Sequence, residues 1–302
     1  MLAADAACAQ ALVDAGAKLD VCNADGDTAL ALAAAQGRVA VVQTLVSAKA
    51  ALFVRNQSGQ TPLALAGKNN RGEVVQVLSR AADTRGNTPL MMAAAGGDVA
   101  LMNVLLRVDV SLDDKNDEDE TALLLAVKHG HKEAADVLVA AGAGVHTCDK
   151  EGNTALLVAA DSGLVDIVRL LVCAQASAFV SNAAGDTPLT RALAKEHMDV
   201  VRVLALVKDG DGNTFLSLAA QAGDVDTAKK LLAANASVEV VNKDGITPLQ
   251  LAAGHDHKAL VQLLGNVLDT NANSAMSVAA QNGDAELLKK LVNSKAALNT
   301  RN

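Results

Sequence analysis

Short apolar blocks alternate with polar turns along this chain at a nearly fixed beat. The clearest block is Thr28-Ala-Leu-Ala-Leu-Ala-Ala-Ala-Gln36, preceded by Asn23-Ala-Asp-Gly-Asp27 and followed by Gly37. A Thr or Ser, then Ala, Pro or Phe, then Leu or Met, opens each such block. The landmark hydroxyl falls at Thr28, Thr61, Thr88, Thr121, Thr154, Thr187, Thr214, Thr247 and Ser274, with steps of 33, 27, 33, 33, 33, 27, 33 and 27 residues. A period of this length is the signature of stacked repeats, each too small to bury its apolar face alone. Each block predicts a short helix, and a second apolar block with Val-x-x-Val or Val-x-x-Leu spacing, such as Val165-Asp-Ile-Val-Arg-Leu-Leu-Val172, predicts another. Leu170 is expected in the core of that second helix.

The punctuation fits these helices. Thr is a good N-cap, because its hydroxyl accepts from an orphan N–H of the first turn. Proline is tolerated next, where an N–H is not needed, and all four prolines (Pro62, Pro89, Pro188, Pro248) stand there. A glycine two residues before most caps marks a turn with positive φ, and Asp119 takes that place before Thr121. A longer repeat closes with an extended segment such as Gly16-Ala-Lys-Leu-Asp-Val-Cys-Asn23.

In this order of turn, Thr-Pro-Leu helix, glycine turn, second helix and Gly-Ala-x-Val tail, the chain resembles the ankyrin-repeat family over nearly its whole length. The resemblance implies an all-α solenoid of helix-turn-helix repeats with short β-hairpin fingers between them. It would form a single domain over 1–302, with a partial first repeat in 1–27 and nine repeats starting near 28, 61, 88, 121, 154, 187, 214, 247 and 274. The family's His after Thr-Pro-Leu is absent; Ala31, Ala64, Met91, Leu124, Leu157, Thr190, Ser217, Gln250 and Ser277 replace it. Whatever that His bonds must be supplied otherwise or lost. His131, His197 and His257 follow the interhelix turn, where the family commonly carries a structural His.

Numbered one to nine from Thr28, the repeats are of two kinds. Repeats two, six and eight are 27 residues long, lack the tail, and carry Asn70, Glu196 and Asp256 where the others have the interhelix glycine. Full fingers are expected before Thr61, Thr121, Thr154, Thr187 and Thr247. Truncated ones are expected after repeats two, six and eight. A long–short pair of 60 residues is thus the real repeat over most of the chain.

Composition narrows the function classes. The net charge of −8 opposes nucleic-acid binding, which rests on basic phosphate contacts. With no Trp or Tyr and three Phe, the core must be built of Ala, Leu and Val. No apolar run reaches membrane-spanning length, so no direct membrane insertion is expected. The cysteines, Cys8, Cys22, Cys148 and Cys173, form no C-x-x-C pair, which points to a reducing, intracellular and cytoplasmic setting. A chain that begins inside a repeat is expected to be part of a longer polypeptide.

Chemistry of the chain's own is not expected. His129-x-His131 and His255-x-His257 offer two ligands each, too few for a metal site. The hydroxyls are absorbed as caps, and no nucleophile elbow or phosphate loop occurs. Hence no catalytic residue, metal or cofactor is assigned. What remains is recognition. The acidic run Asp113, Asp114, Asp117, Glu118, Asp119 and Glu120, offset by Lys115, marks an exposed finger that suits a basic protein partner. The family's concave surface implies a second set at the first-helix ends: Lys68, Lys128, His129, Lys195 and His255. The reading is a non-enzymatic protein–protein interaction scaffold. A structural spacer or spring within a longer array, or the targeting arm of a larger enzyme or channel, is the alternative.

Overall fold

The computed structural model describes residues 2–108, 110–267, 274–294 and 296. They form two compact bodies, Met1–Val158 and Ala159–Asn302. The first holds α1 (Leu2–Asp14), the second helix of the partial repeat. Four repeats follow as α2 (Ala29–Gln36) and α3 (Val39–Ser47), α4 (Pro62–Lys68) and α5 (Gly72–Ser79), α6 (Pro89–Ala95) and α7 (Val99–Leu105), and α8 (Ala122–Lys128) and α9 (Lys132–Ala140). The division between the bodies falls inside α10 (Ala155–Asp161). The second body continues with α11 (Val165–Cys173), α12 (Pro188–Ala194), α13 (Met198–Leu204), α14 (Phe215–Ala222) and α15 (Val225–Ala233). It ends with α16 (Pro248–Gly254), α17 (Lys258–Gly265), α18 (Ala275–Gln281) and α19 (Ala285–Asn293).

All nine landmark hydroxyls act as caps. Each accepts from the backbone N–H three residues on, at 3.2–3.3 Å. Where a polar residue stands in for the family's His, it bonds within its own cap. Thr190 and Gln250 accept from the Thr187 and Thr247 backbone N–H at 2.8 and 3.0 Å, and Ser217 does so for Thr214 at 3.3 Å. Five residues after every landmark stands an alanine, from Ala33 to Ala279, and all nine are buried. A methyl group at that position lets first helices approach closely. Within the bodies α2 packs on α4, α6 on α8 and α14 on α16.

Those pairs, each from an odd repeat to the even one after it, are also clasped at the interhelix turn. His131 Nε2 lies 3.0 Å from the Ala95 carbonyl, His197 Nε2 3.0 Å from that of Asp161, and His257 Nε2 3.0 Å from that of Gln221. Arg71 Nε donates to the Ala35 carbonyl at 3.2 Å in the same way. The ring or guanidinium crosses over the odd repeat's glycine. A Cβ on Gly97 would come within 2.8 Å of the His131 ring, and φ there is +64°. The structural role expected for these three histidines is therefore the one they have.

The fingers differ from expectation. Among the described residues no strand forms; there are two isolated antiparallel bridges, Cys148–Thr154 and Lys208–Thr214. Among the described residues each finger is a tight turn whose first residue, Asn or Asp, pairs its N–H with the carbonyl four residues on, as in Asn56 with Gln60 at 3.0 Å. The helix cap follows at once, so the outgoing arm has no length for a strand, and pairing beyond the turn is limited to those two single bridges. The short repeats keep this turn, at Asp83–Asn87 and Asp209–Asn213, because their missing residues lie between second helix and tip. Within each body, what they lose is the link to the preceding tip that the full repeats keep. Gln57 N–H reaches Asp25 O, Asp117 reaches Arg85, Lys150 reaches Glu118 and Lys243 reaches Asp211, at 2.9–3.3 Å. At the positions that close short repeats two and six, Thr84 and Gly210, no such bond forms among the described residues. The junction after repeat eight lies outside the described residues.

The core of α11 corrects one expectation. Ile167, Val168 and Leu171 are buried, while Leu170 is half-buried, because the helical period puts 167, 168 and 171 on one face. Leu171→Ala should cost about 2–5 kcal/mol, the range for a buried leucine, and Leu170→Ala distinctly less. Urea unfolding of the two variants checks the order.

Candidate functional site

The acidic finger between repeats three and four is organised by a residue that charge alone does not single out. Asn116 is buried at its base. Its Oδ1 accepts from the Glu118 and Glu120 N–H groups at 2.9 Å, and its Nδ2 donates to Asn87 Oδ1 at 2.9 Å and Glu120 Oε2 at 3.0 Å. The turn closes through Asp119, whose φ of +60° takes the place of a glycine. Aspartate visits this left-handed region more readily than most residues.

The six carboxylates separate into two groups. Glu120 was expected at an exposed tip but is 7% exposed. It is drawn inward because Asn116 and Lys128 both donate to it, Lys128 Nζ at 2.6 Å from Oε1. Burial works to raise its pKa, but the hydrogen bonds from Asn116 and Lys128 and the Lys128 charge outweigh it and hold the carboxyl below its ordinary value. The bond from Lys128 to Glu120 in turn raises the Lys128 pKa. Asp113 Oδ1 accepts from the Gly144 N–H at 2.7 Å, tying one tail to the next. Asp114, Asp117 and Glu118 are exposed and face solvent. Glu118 has Lys150 Nζ at 3.8 Å, and Lys115 Nζ donates to the Cys148 carbonyl at 3.2 Å, so two nearby cations are held against the finger's own next neighbour.

The helix-end residues are exposed, as the resemblance implies. In the first body Lys68 ends α4, Lys128 ends α8 and His129 caps α8. In the second, Lys195 caps α12 and His255 caps α16. Positive charge is favourable there, since the helix carbonyls converge at that end. Lys128 is brought into contact with the acidic finger, and His129 beside it acts on Glu120 through its charge. His129 lies 6.3 Å from His131 and His255 6.0 Å from His257, centroid to centroid, with the second ring of each pair committed to a clasp. Among the described residues no three His, Cys, Asp or Glu side chains converge as a metal site requires.

A family model described as "Ankyrin repeats (3 copies)" matches residues 1–85, 79–147, 141–215 and 216–302. The chain belongs to the ankyrin-repeat family, whose members are generally protein–protein interaction modules and typically not catalytic. Among curated proteins, the Caenorhabditis elegans ankyrin repeat and KH domain-containing protein mask-1 is 36% identical over 98 residues. That match covers 30% of this chain and spans about 4% of the relative's length. Among solved structures, an ankyrin repeat domain from Acinetobacter baumannii AYE is 26% identical, covers 68% of this chain and 97% of its own, and has a TM-score of 0.43.

The Glu120 arrangement makes a pH prediction. A carboxyl whose pKa is lowered by folding contributes stability that is complete above its unfolded value, near 4.5, and is lost as pH falls through the folded one. Glu120→Gln should therefore cost about 1–2 kcal/mol at neutral pH, since charged hydrogen bonds are replaced by neutral ones, with the half-exposed lysine limiting the loss. The gap between variant and parent should close in acid, as measured by denaturation at pH 7 and pH 3.

Proposed function

We propose that this chain is a partner-binding scaffold whose acidic finger recognises a basic polypeptide segment. The observation that carries this reading is the split among the carboxylates. Asp119 and Glu120 build the turn and Asp113 ties its tail to the next, while Asp114, Asp117 and Glu118 stay exposed to solvent. Like charges at Asp114 and Asp117, with Glu118 partly offset by Lys150, give the finger a net negative surface that favours a basic segment. Such a cluster steers association and fixes orientation more than it adds raw affinity. Lys68, Lys128, His129, Lys195 and His255 would contribute at the first-helix ends, where their exposure leaves them accessible. On each body they suit acidic or polar groups, with Lys128 already engaged by Glu120. Family membership supports a binding role of this kind. No aromatic residue is needed, because a charge-driven contact does not require a desolvated anchor.

The test is a titration with a fluorescent lysine- and arginine-rich peptide. The parent should bind it with an affinity that falls steeply as salt rises, since screening shortens to about 8 Å at physiological ionic strength. The triple variant Asp114→Asn, Asp117→Asn, Glu118→Gln should lose about tenfold or more at low salt, as a few lost charge contacts imply. Asp166→Asn, Asp226→Asn and Asp244→Asn remove the same charge from exposed sites in the second body and should have little effect. Equal losses in the two triples would reduce the finger to general charge.

A further inference from the structure

The three phenylalanines of this chain all stand beside shortened repeats. Phe53 and Phe179 occupy the same place, three residues before the tip residues Asn56 and Asn182, in the tails of repeats one and five. Each of those repeats precedes a short one. Where a full repeat follows, the same place carries Asp20, Asp113 or His146, and the two carboxylates accept the N–H of the next tail, Ala51 or Gly144, at 2.8 and 2.7 Å. Short repeats two and six lack that tail, and a ring replaces the carboxylate before each of them; before short repeat eight the place carries Glu239.

In the second body the resulting gap is filled by the chain itself. Phe215, the first residue of α14, is buried, and its ring lies 4.3 Å from that of Phe179 with 25° between the planes. Such an offset stack adds to the area buried. In the first body the residue equivalent to Phe215 is Pro89, and Phe53 has no ring partner among the described residues. There the gap is open. A cavity of about 450 Å³ runs from Ala50, Leu52, Phe53 and Val54 to Ala82 and Thr84. A second, of about 330 Å³, flanks the same short junction, between Ser79 and Leu90 on one side and Val110 on the other. The first is of the size that encloses a small ligand or a large side chain.

We propose that this gap binds an extended segment of a partner polypeptide, with an aromatic side chain stacked on Phe53 as Phe215 stacks on Phe179. A polypeptide is the fitting occupant because the space is that of the six tail residues repeat two lacks relative to a full one. The backbone N–H of Thr84 on its wall has none of the tip-to-tip bonding seen at Gln57 or Asp117, so a main chain laid in the gap finds a donor there. The inference rests on the reading of the chain as a partner-binding module but uses a different surface from the acidic finger.

The test titrates the full chain with acetyl-Ala-Phe-Ala-amide and with acetyl-Ala-Ala-Ala-amide, followed by amide NMR shifts. The phenylalanine probe should give saturable shifts centred on residues 46–54 and 82–84, and the alanine probe should not. Ala82→Trp, at an exposed position on the cavity wall, should abolish them, and Phe53→Ala should weaken the probe at least fivefold. The double variant Asp117→Asn, Glu118→Gln, which leaves Asp114 on the wall of the second cavity unchanged, should bind the probe as the parent does, which separates this site from the finger. Absence of a phenylalanine-dependent shift in the parent, or its survival in Ala82→Trp, overturns the proposal. So do concentration-dependent shifts at those residues without probe, which would make a second copy of the chain the occupant.

Discussion

The clasp at the interhelix turn is the constraint on which the rest depends. In each even repeat the residue that opens the second helix (Arg71, His131, His197 or His257) bonds a carbonyl 36 residues back, across the glycine of the odd repeat. The bond needs a residue without Cβ beneath it and first helices close enough to be bridged. Alanine at the buried centre of every first helix meets the second need. Two repeats so joined form a pair that holds at the turn end of its helices.

The opposite end of the pair is then free to vary. Repeat four carries a full tail and repeats two, six and eight do not, yet the clasps are alike. A six-residue deficit therefore leaves the helix pairing intact and is expressed only at the finger end. There it breaks the tip-to-tip bonding at Thr84 and Gly210 and leaves a gap that one body fills with Phe215 and the other leaves open. The short repeats also keep the turn geometry without glycine, with φ between +55° and +58° at Asn70, Glu196 and Asp256. Such backbone costs on the order of 1–2 kcal/mol per residue, which surrounding packing must offset.

Much of this was legible in the sequence because it is local. A hydroxyl before an alanine-rich run is a cap wherever it occurs, and all nine behave so. The two lengths of repeat were equally plain. Contacts between repeats were less so. Leu170 and Leu171 are adjacent leucines, and only the phase of α11 against its neighbours decides which is buried. The acidic run reads as uniform charge, yet Glu120 is structural because Asn116 and Lys128 reach it from outside the run's own pattern. The fingers were expected as hairpins, but a cap that follows the tip directly leaves no room for strands. The placement of three Phe beside short repeats was the available signal for the gap, and it acquires meaning only when Phe179 and Phe215, 36 positions apart, are seen to touch.

The central claim is that, within each body, shortening a repeat breaks the link between finger tips while leaving each tip folded. Amide hydrogen exchange on the intact chain measures this directly. The N–H groups of Gln57, Asp117 and Lys243 should be protected, since each donates to the preceding tip. Those of Thr84 and Gly210 should exchange near the rate of an open chain, while Gly86 and Gly212, bonded within the same turns, remain protected. Protection of Thr84 and Gly210 equal to that of Asp117 would contradict the account, because the tips would then be joined without regard to repeat length.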